Sequence, residues 1–195
     1  FNTAFVDGVR DMLDVIPSYV PFGLVCGVAA AKVGLATPAA LALPALVYGG
    51  SSQAVVVEFL QNSASWWVAV LSGCVVNLRM AVYSAAMAPH VRHLSPLRRM
   101  LAAAFLVDNV FAFMQRRLGQ EVPRPQLMHY YAGLTCVLWP CWLVFCAAGM
   151  YFGNIVPASW QLELAVPLSF IALGAPAIRS LSLGAAALVG GIASV

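Results

Sequence analysis

The apolar positions of this chain fall in continuous runs rather than in alternation, which disfavours a closed β-barrel and predicts a series of membrane-length helical segments. An amphipathic opening stretch, residues 1–14, is suited to a membrane interface. Segment one spans 15–33, broken by Pro17 and Pro21 and dotted with Gly23 and Gly27. Segment two spans 38–60. Segment three, 66–88, opens on the Trp66–Trp67 pair, a residue type that favours the headgroup level. Segment four, 100–115, has only 16 residues before Arg116 and Arg117. Segments five and six span 127–153 and 162–178, and segment seven begins at 183. The stretches between them, 34–38, 61–65, 89–99, 119–125 and 154–160, carry the Gly, Pro and polar residues expected of loops.

Composition supports the same class. The chain has 195 residues, 62% hydrophobic and 9% charged, whereas soluble domains carry roughly 25% charged residues. Charge this sparse cannot cover a water-facing surface. At about 20 residues per crossing, the length allows six or seven segments in one domain. The expected fold is therefore an all-α, polytopic membrane protein with six or seven membrane helical segments, at least one broken or re-entrant, in a single domain over 1–195. The chain begins at Phe1 and stops at Val195 inside an apolar run, so native residues are expected to be missing at one or both ends. Residues 1–14 carry acids and no apolar core, so no cleavable signal peptide is expected.

The net charge of +3 is spread over loops and gives nucleic-acid binding no support. Cys26, Cys74, Cys136, Cys141 and Cys146 all lie in apolar runs without a C-x-x-C pair, and read as buried packing thiols. Arginines flank segment four on both sides: Arg92, Arg98 and Arg99 before it, Arg116, Arg117 and Arg124 after it. Basic loops prefer the cytoplasm, and a full crossing would put these two on opposite sides. A segment that dips in and returns would resolve the conflict. Segments one-two and six-seven, each rich in Pro and Gly, form a faint echo of the kind inverted transporter repeats leave.

Polar groups at membrane depth are expensive and therefore informative. The stretch Y-G-G-S-S-Q, residues 48–53, interrupts segment two. Gly49 and Gly50 break a helix, and Ser51, Ser52 and Gln53 can cap one that restarts after them. Freed backbone is tolerated only where it is buried or lines a cavity, and half-helix starts attract carboxylates. Close helix packing through small residues is the competing account. Arg79 lies 13 residues beyond Trp66, roughly 20 Å along a helix. It either serves substrate or coupling, or is paired or snorkels to the far interface. Tyr83 shares its face, and Asn77 points elsewhere. Asp108, amid apolar neighbours, must face the bundle, pair with a cation such as Arg79, or take up a proton. Glu58, near the end of segment two, reads as a solvated carboxylate.

Enzyme and metal chemistry find little purchase. Gln53 stands where a G-x-S-x-G elbow needs its last glycine, and His90, His93 and His129 sit in or beside loops. His90-x-x-His93 has no third ligand nearby. The sole lysine is Lys32, so no Walker motif exists and no cofactor is expected.

Five stretches, in order, resemble the AzlC-like large subunits of branched-chain amino acid exporters. They are D-G-x-R-D…P…P-F-G-L (residues 7–24), Y-G-G-S-S-Q, N-L-R-M-A-V-Y (77–83), L-V-D-N-V-F-A (106–112) and V-P-L-S-F-I-A-L-G-A-P (166–176). The resemblance implies export of leucine, isoleucine, valine and methionine across a bacterial inner membrane, with a small AzlD-like membrane subunit as partner. For a zwitterion with an apolar tail, the polar groups themselves offer substrate contacts at Gly49, Gly50, Ser51, Ser52, Gln53, Asn77 and Arg79, and coupling at Asp108 and Asn109. Family members often carry an acid after the aspartate where this chain has Asn109, which bears on any two-carboxylate coupling scheme. Two other readings stay open: a membrane scaffold that assembles or regulates a partner, and a transporter of another small solute.

Overall fold

The computed structural model describes residues 3–34, 37–120 and 123–152. Among the described residues it is all helix: α1 (Thr3–Leu13), α2 (Ile16–Lys32), α3 (Thr37–Leu46), α4 (Gly50–Gln61), α5 (Trp66–Val91), α6 (Pro96–Ala104), α7 (Asp108–Leu118) and α8 (Arg124–Phe152). Segments one, three and five of the sequence appear as α2, α5 and α8. The proposed segments six and seven, and the 166–176 motif, lie outside the described residues.

Helix α8 is the axis of the arrangement: α1 and α2 both run along it, while α4 pairs with α5. Lipid is as apolar as leucine, so helices in a membrane associate through close packing, and small residues permit it. A methyl group added at Gly8 would overlap the Tyr130 carbonyl, and one at Gly27 would overlap that of Cys146. Around these contacts Met12, Val110, Met114, Leu127, Leu134 and Leu138 are fully buried. The amphipathic α1 is thus packed onto the first half of α8. It meets α2 at a bend of 58°.

The structure departs from the sequence expectations in four respects. First, α5 and residues 125–152 of α8 are long and apolar enough to cross a membrane, and the bent α1–α2 pair adds a third candidate. Six or seven spans are therefore not reached among the described residues. Second, Pro17 and Pro21 do not break segment one. Pro17 occupies the first turn of α2, where its missing N–H is not needed, and the helix continues through Pro21. Third, Cys74 and Cys136 are exposed, whereas Cys26 and Cys146 are buried as packing thiols. Fourth, segment four is not one helix. It resolves into α6 and α7, separated by Phe105, Leu106 and Val107. Segment two breaks as expected, into α3 and α4 around Val47–Gly49.

Candidate substrate site at two helix breaks

Each break ends in a helix start. Gly49 is extended (φ −174°, ψ 105°) immediately before α4, and Val107 is extended (φ −93°, ψ 172°) immediately before α7. The first N–H groups of a helix have no partner within it, and the macrodipole adds partial positive charge there. Both starts line one cavity of about 280 Å³, into which α2, α5 and α8 also project side chains. That is close to the lower bound of roughly 300 Å³ for ligand pockets and suits a small solute.

The close approach of α4 to its neighbours explains the glycine pair. A Cβ on Gly49 would sit 2.9 Å from Met80 Cε and 3.0 Å from Asn77 Oδ1. A Cβ on Gly50 would overlap the Phe22 ring and lie 3.0 Å from Trp142. Gly49 and Gly50 also line the cavity, so tight packing and cavity wall coexist at the same two residues.

Arg79, from α5, joins the two helix starts. Its guanidinium donates to Ser51 Oγ in the first turn of α4. It also lies 3.1 Å from Asp108 Oδ2 in the first turn of α7. One turn further along α5, the Tyr83 hydroxyl donates to the other carboxylate oxygen at 2.8 Å, and its ring stacks on Phe111 at 4.4 Å. Asn109 donates from Nδ2 to the Tyr19 hydroxyl at 2.7 Å. Asp108 thus has a partner on each oxygen, and Arg79 reaches both breaks.

Among the described residues, three buried donors around this cavity have no partner: Tyr48 Oη, Trp142 Nε1 and Arg79 Nε. An unsatisfied buried donor costs about 1–3 kcal/mol, so three around one cavity mark a place where an acceptor would be stabilised. The opposite character comes from Phe22, Val107 and Leu138, which supply apolar lining. Donors for a carboxylate, the Asp108 carboxylate for a cation, and an apolar wall for a hydrocarbon tail therefore meet in one small space.

Of the residues singled out in the sequence, Gly49, Gly50, Ser51, Arg79, Asp108 and Asn109 line the cavity; Ser52, Gln53 and Asn77 do not. Ser52 and Gln53 follow Ser51 by one and two residues, and each step rotates the side chain by about 100° around the helix. Both are fully buried in packing. Ser52 Oγ donates back to the Gly49 carbonyl at 2.8 Å, and Gln53 Nε2 faces Cys146 Sγ at 4.0 Å. No side chain caps α4. The capping expected of Ser51, Ser52 and Gln53 fails because Ser51 is engaged by Arg79 and the other two are turned away. Asn77 faces Gly49 from behind the cavity wall. Sequence reasoning did not assign Tyr19, Phe22, Tyr48, Leu138 and Trp142 to the site, although Phe22 and Tyr48 stand in the motifs quoted above, because an aromatic or aliphatic side chain in or beside an apolar run does not show whether it meets core or cavity. Glu58 is exposed, as expected, and among the described residues no cluster of His, Cys, Asp and Glu could hold a metal.

The family model described as "AzlC protein" matches residues 15–156, most of the chain. The chain belongs to the AzlC family. All the cavity-lining residues, from Tyr19 to Trp142, fall within the matched region, whereas α1 precedes it. A curated relative, inner membrane protein YgaZ of Escherichia coli (strain K12), is 26% identical over 154 residues. The aligned region covers 78% of this chain and 62% of the relative, so the chain spans less than two thirds of that protein's length. No solved structure matches it. AzlC membership, the inner membrane relative and the long apolar helices mark the chain as a membrane protein.

Proposed function

We propose that this AzlC-family chain is the large subunit of a secondary exporter of branched-chain amino acids, multi-pass in a bacterial inner membrane. In this reading it moves leucine, isoleucine and valine, with methionine accepted by the same apolar wall. It works with a small AzlD-like membrane subunit and draws on the proton gradient. The observation that carries the proposal is the meeting of unpartnered donors, a carboxylate and an apolar wall around about 280 Å³ at the starts of α4 and α7. A neutral aliphatic amino acid is a zwitterion with a hydrocarbon tail. Its carboxylate matches Arg79, Tyr48, Trp142 and the α4 start; its ammonium matches Asp108; its tail matches Phe22, Val107 and Leu138. Arrival of substrate would compete for both halves of the Arg79–Asp108 pair, giving the site a way to open when loaded. Release of Asp108 from Arg79 would also expose it to a proton, which is where coupling would enter.

The test is transport into proteoliposomes containing the chain with and without its partner, with and without a pH gradient, using leucine against competing solutes. Leucine movement that responds to the gradient and is competed by isoleucine and valine is expected. Gly50→Val, whose added carbons overlap Phe22, should abolish it while membrane levels stay normal. The Arg79–Asp108 pair also favours a second reading, a static ion pair in a non-transporting scaffold. Failure of the complete complex to move any small solute would establish that one.

A further inference from the structure

A second cavity, also of about 280 Å³, lies on the far side of the α6–α7 break and is of a different kind. Leu106 lines it, whereas the next residue, Val107, lines the first cavity. Its floor is apolar, formed by Met87, Leu106, Met128 and Tyr131, and its rim carries Arg92 and Arg99. Among the described residues no acidic side chain lines it. Both arginines are exposed, and among the described residues neither guanidinium has an ion-pair or hydrogen-bond partner. Arg92 caps the C-terminal end of α5 and Arg99 lies on α6, so two separate helices aim positive charge at one groove.

Depth identifies the ligand class. Helix α5 opens on Trp66 and Trp67, both exposed, a residue pair suited to one headgroup layer. From Trp66 to Arg92 is 26 residues, roughly 39 Å of helix, against about 40–45 Å for a bilayer including its headgroups. The two arginines therefore stand at the opposite headgroup layer, beside a groove that continues into apolar surface. We infer that this groove is a binding site for an anionic phospholipid, its phosphate between Arg92 and Arg99 and the start of an acyl chain over Met87, Leu106 and Met128. A zwitterionic phospholipid would fit the floor but gain less at the rim, because its own cation opposes the arginine pair.

The test uses the purified full chain in detergent, titrated with phosphatidylglycerol or phosphatidylcholine and read by native mass spectrometry. Phosphatidylglycerol should bind in clear preference. Each arginine near the headgroups is worth about 1 kcal/mol, so R92Q/R99Q should weaken phosphatidylglycerol binding about 25-fold and remove the preference. Arg98→Gln is the control: Arg98 is exposed on the same helix as Arg99 but does not line the groove, and binding should stay within about threefold of wild type. Met128→Trp, which fills the floor and leaves both charges, should also lose the lipid. Circular dichroism and lipid-free thermal unfolding check that the variants are folded. Three results would overturn the inference: equal phosphatidylglycerol binding by wild type and R92Q/R99Q; an equal loss in Arg98→Gln, which would mean diffuse surface charge; or displacement of the lipid by leucine, which would make the groove part of a solute path.

Discussion

Helix α7 carries an arginine–aspartate pair at each end, and the two pairs contrast in their surroundings rather than their geometry. Asp108, in its first turn, lies 3.1 Å from Arg79; Arg117, in its last turn, lies 3.0 Å from Asp7. Each charge on α7 complements the macrodipole at its own end. Exposure does not separate them either, at 34% and 45% for Arg79 and Asp108 against 23% and 44% for Arg117 and Asp7. The difference lies in what surrounds each pair. Arg117 is laid 5.0 Å over the Tyr130 ring, whose hydroxyl donates to Asp11 at 2.6 Å, so its pair ties α1, α7 and α8 together. Arg79 and Asp108 instead face a cavity lined by two helix starts, in which Tyr48 Oη and Trp142 Nε1 have no partner among the described residues. The same ion pair is a fastening in one place and, on our reading, a substrate-responsive contact in the other.

The largest effect should come from Asp108→Asn. The change removes the charge that both Arg79 and Tyr83 recognise, and hydrogen bonds to charged groups are worth about 1.5–3 kcal/mol each. Leucine export should fall by roughly 100-fold or more while membrane abundance changes less than about twofold. Normal export by this variant, measured in cells or proteoliposomes, would remove Asp108 from the mechanism.

Charge exchange sharpens the contrast. Reversing the outer pair, D7R/R117D, keeps opposite charges between α1 and α7; the anion at the C-terminal end of α7 and the lost contact with Tyr130 should lower stability, but export per molecule should stay near wild type. Reversing the inner pair, R79D/D108R, also keeps opposite charges. It nevertheless puts the cation at the start of α7, where the dipole opposes it, and the anion where the donors converge. Export should be lost. If export survives the inner reversal, the pair is only a fastening and the scaffold reading gains.

These expectations depend on features that the sequence showed unequally. The break before α4 was legible because two consecutive glycines interrupt an apolar run, and Arg79 and Asp108 were legible because charge is rare at membrane depth. The break before α7 was not: Phe105, Leu106 and Val107 contain no glycine or proline, and the surrounding bundle sets it. Asp108 therefore read as the middle of a helix although it begins one. Ser52 and Gln53 were overassigned because a run of polar letters conceals the rotation that sends neighbours to different faces. The aromatic wall of Phe22, Tyr48 and Trp142 was not assigned to the site, although Phe22 and Tyr48 lie in the quoted motifs, because an aromatic residue in an apolar run reads the same whether it meets lipid, core or cavity.

A smaller effect is expected at the outer pair. Asp7→Asn removes a partly exposed ion pair, a class of contact worth about 0–1 kcal/mol. Arg117 retains its place over Tyr130, so the loss should appear as a modest drop in thermal stability in detergent, with export per molecule within about twofold of wild type. A collapse of transport without a change in stability would mean that α1 takes part in the transport cycle and that the two pairs are not as different as their surroundings suggest.

A milder change than Asp108→Asn distinguishes positioning from charge within the inner pair. Tyr83→Phe keeps the ring stacked on Phe111 and removes only the hydroxyl that donates to Asp108 Oδ1. Arg79 still holds the other oxygen, so the carboxylate keeps its charge and its main partner. One hydrogen bond to a charged group is lost, partly offset by water entering beside the carboxylate. The expected result is a roughly three- to tenfold decrease in leucine export. If the fall instead equals that of Asp108→Asn, the hydroxyl itself is needed in the cycle, as a proton donor to Asp108 would be. If there is no fall at all, Arg79 alone positions the carboxylate and Tyr83 serves through its ring.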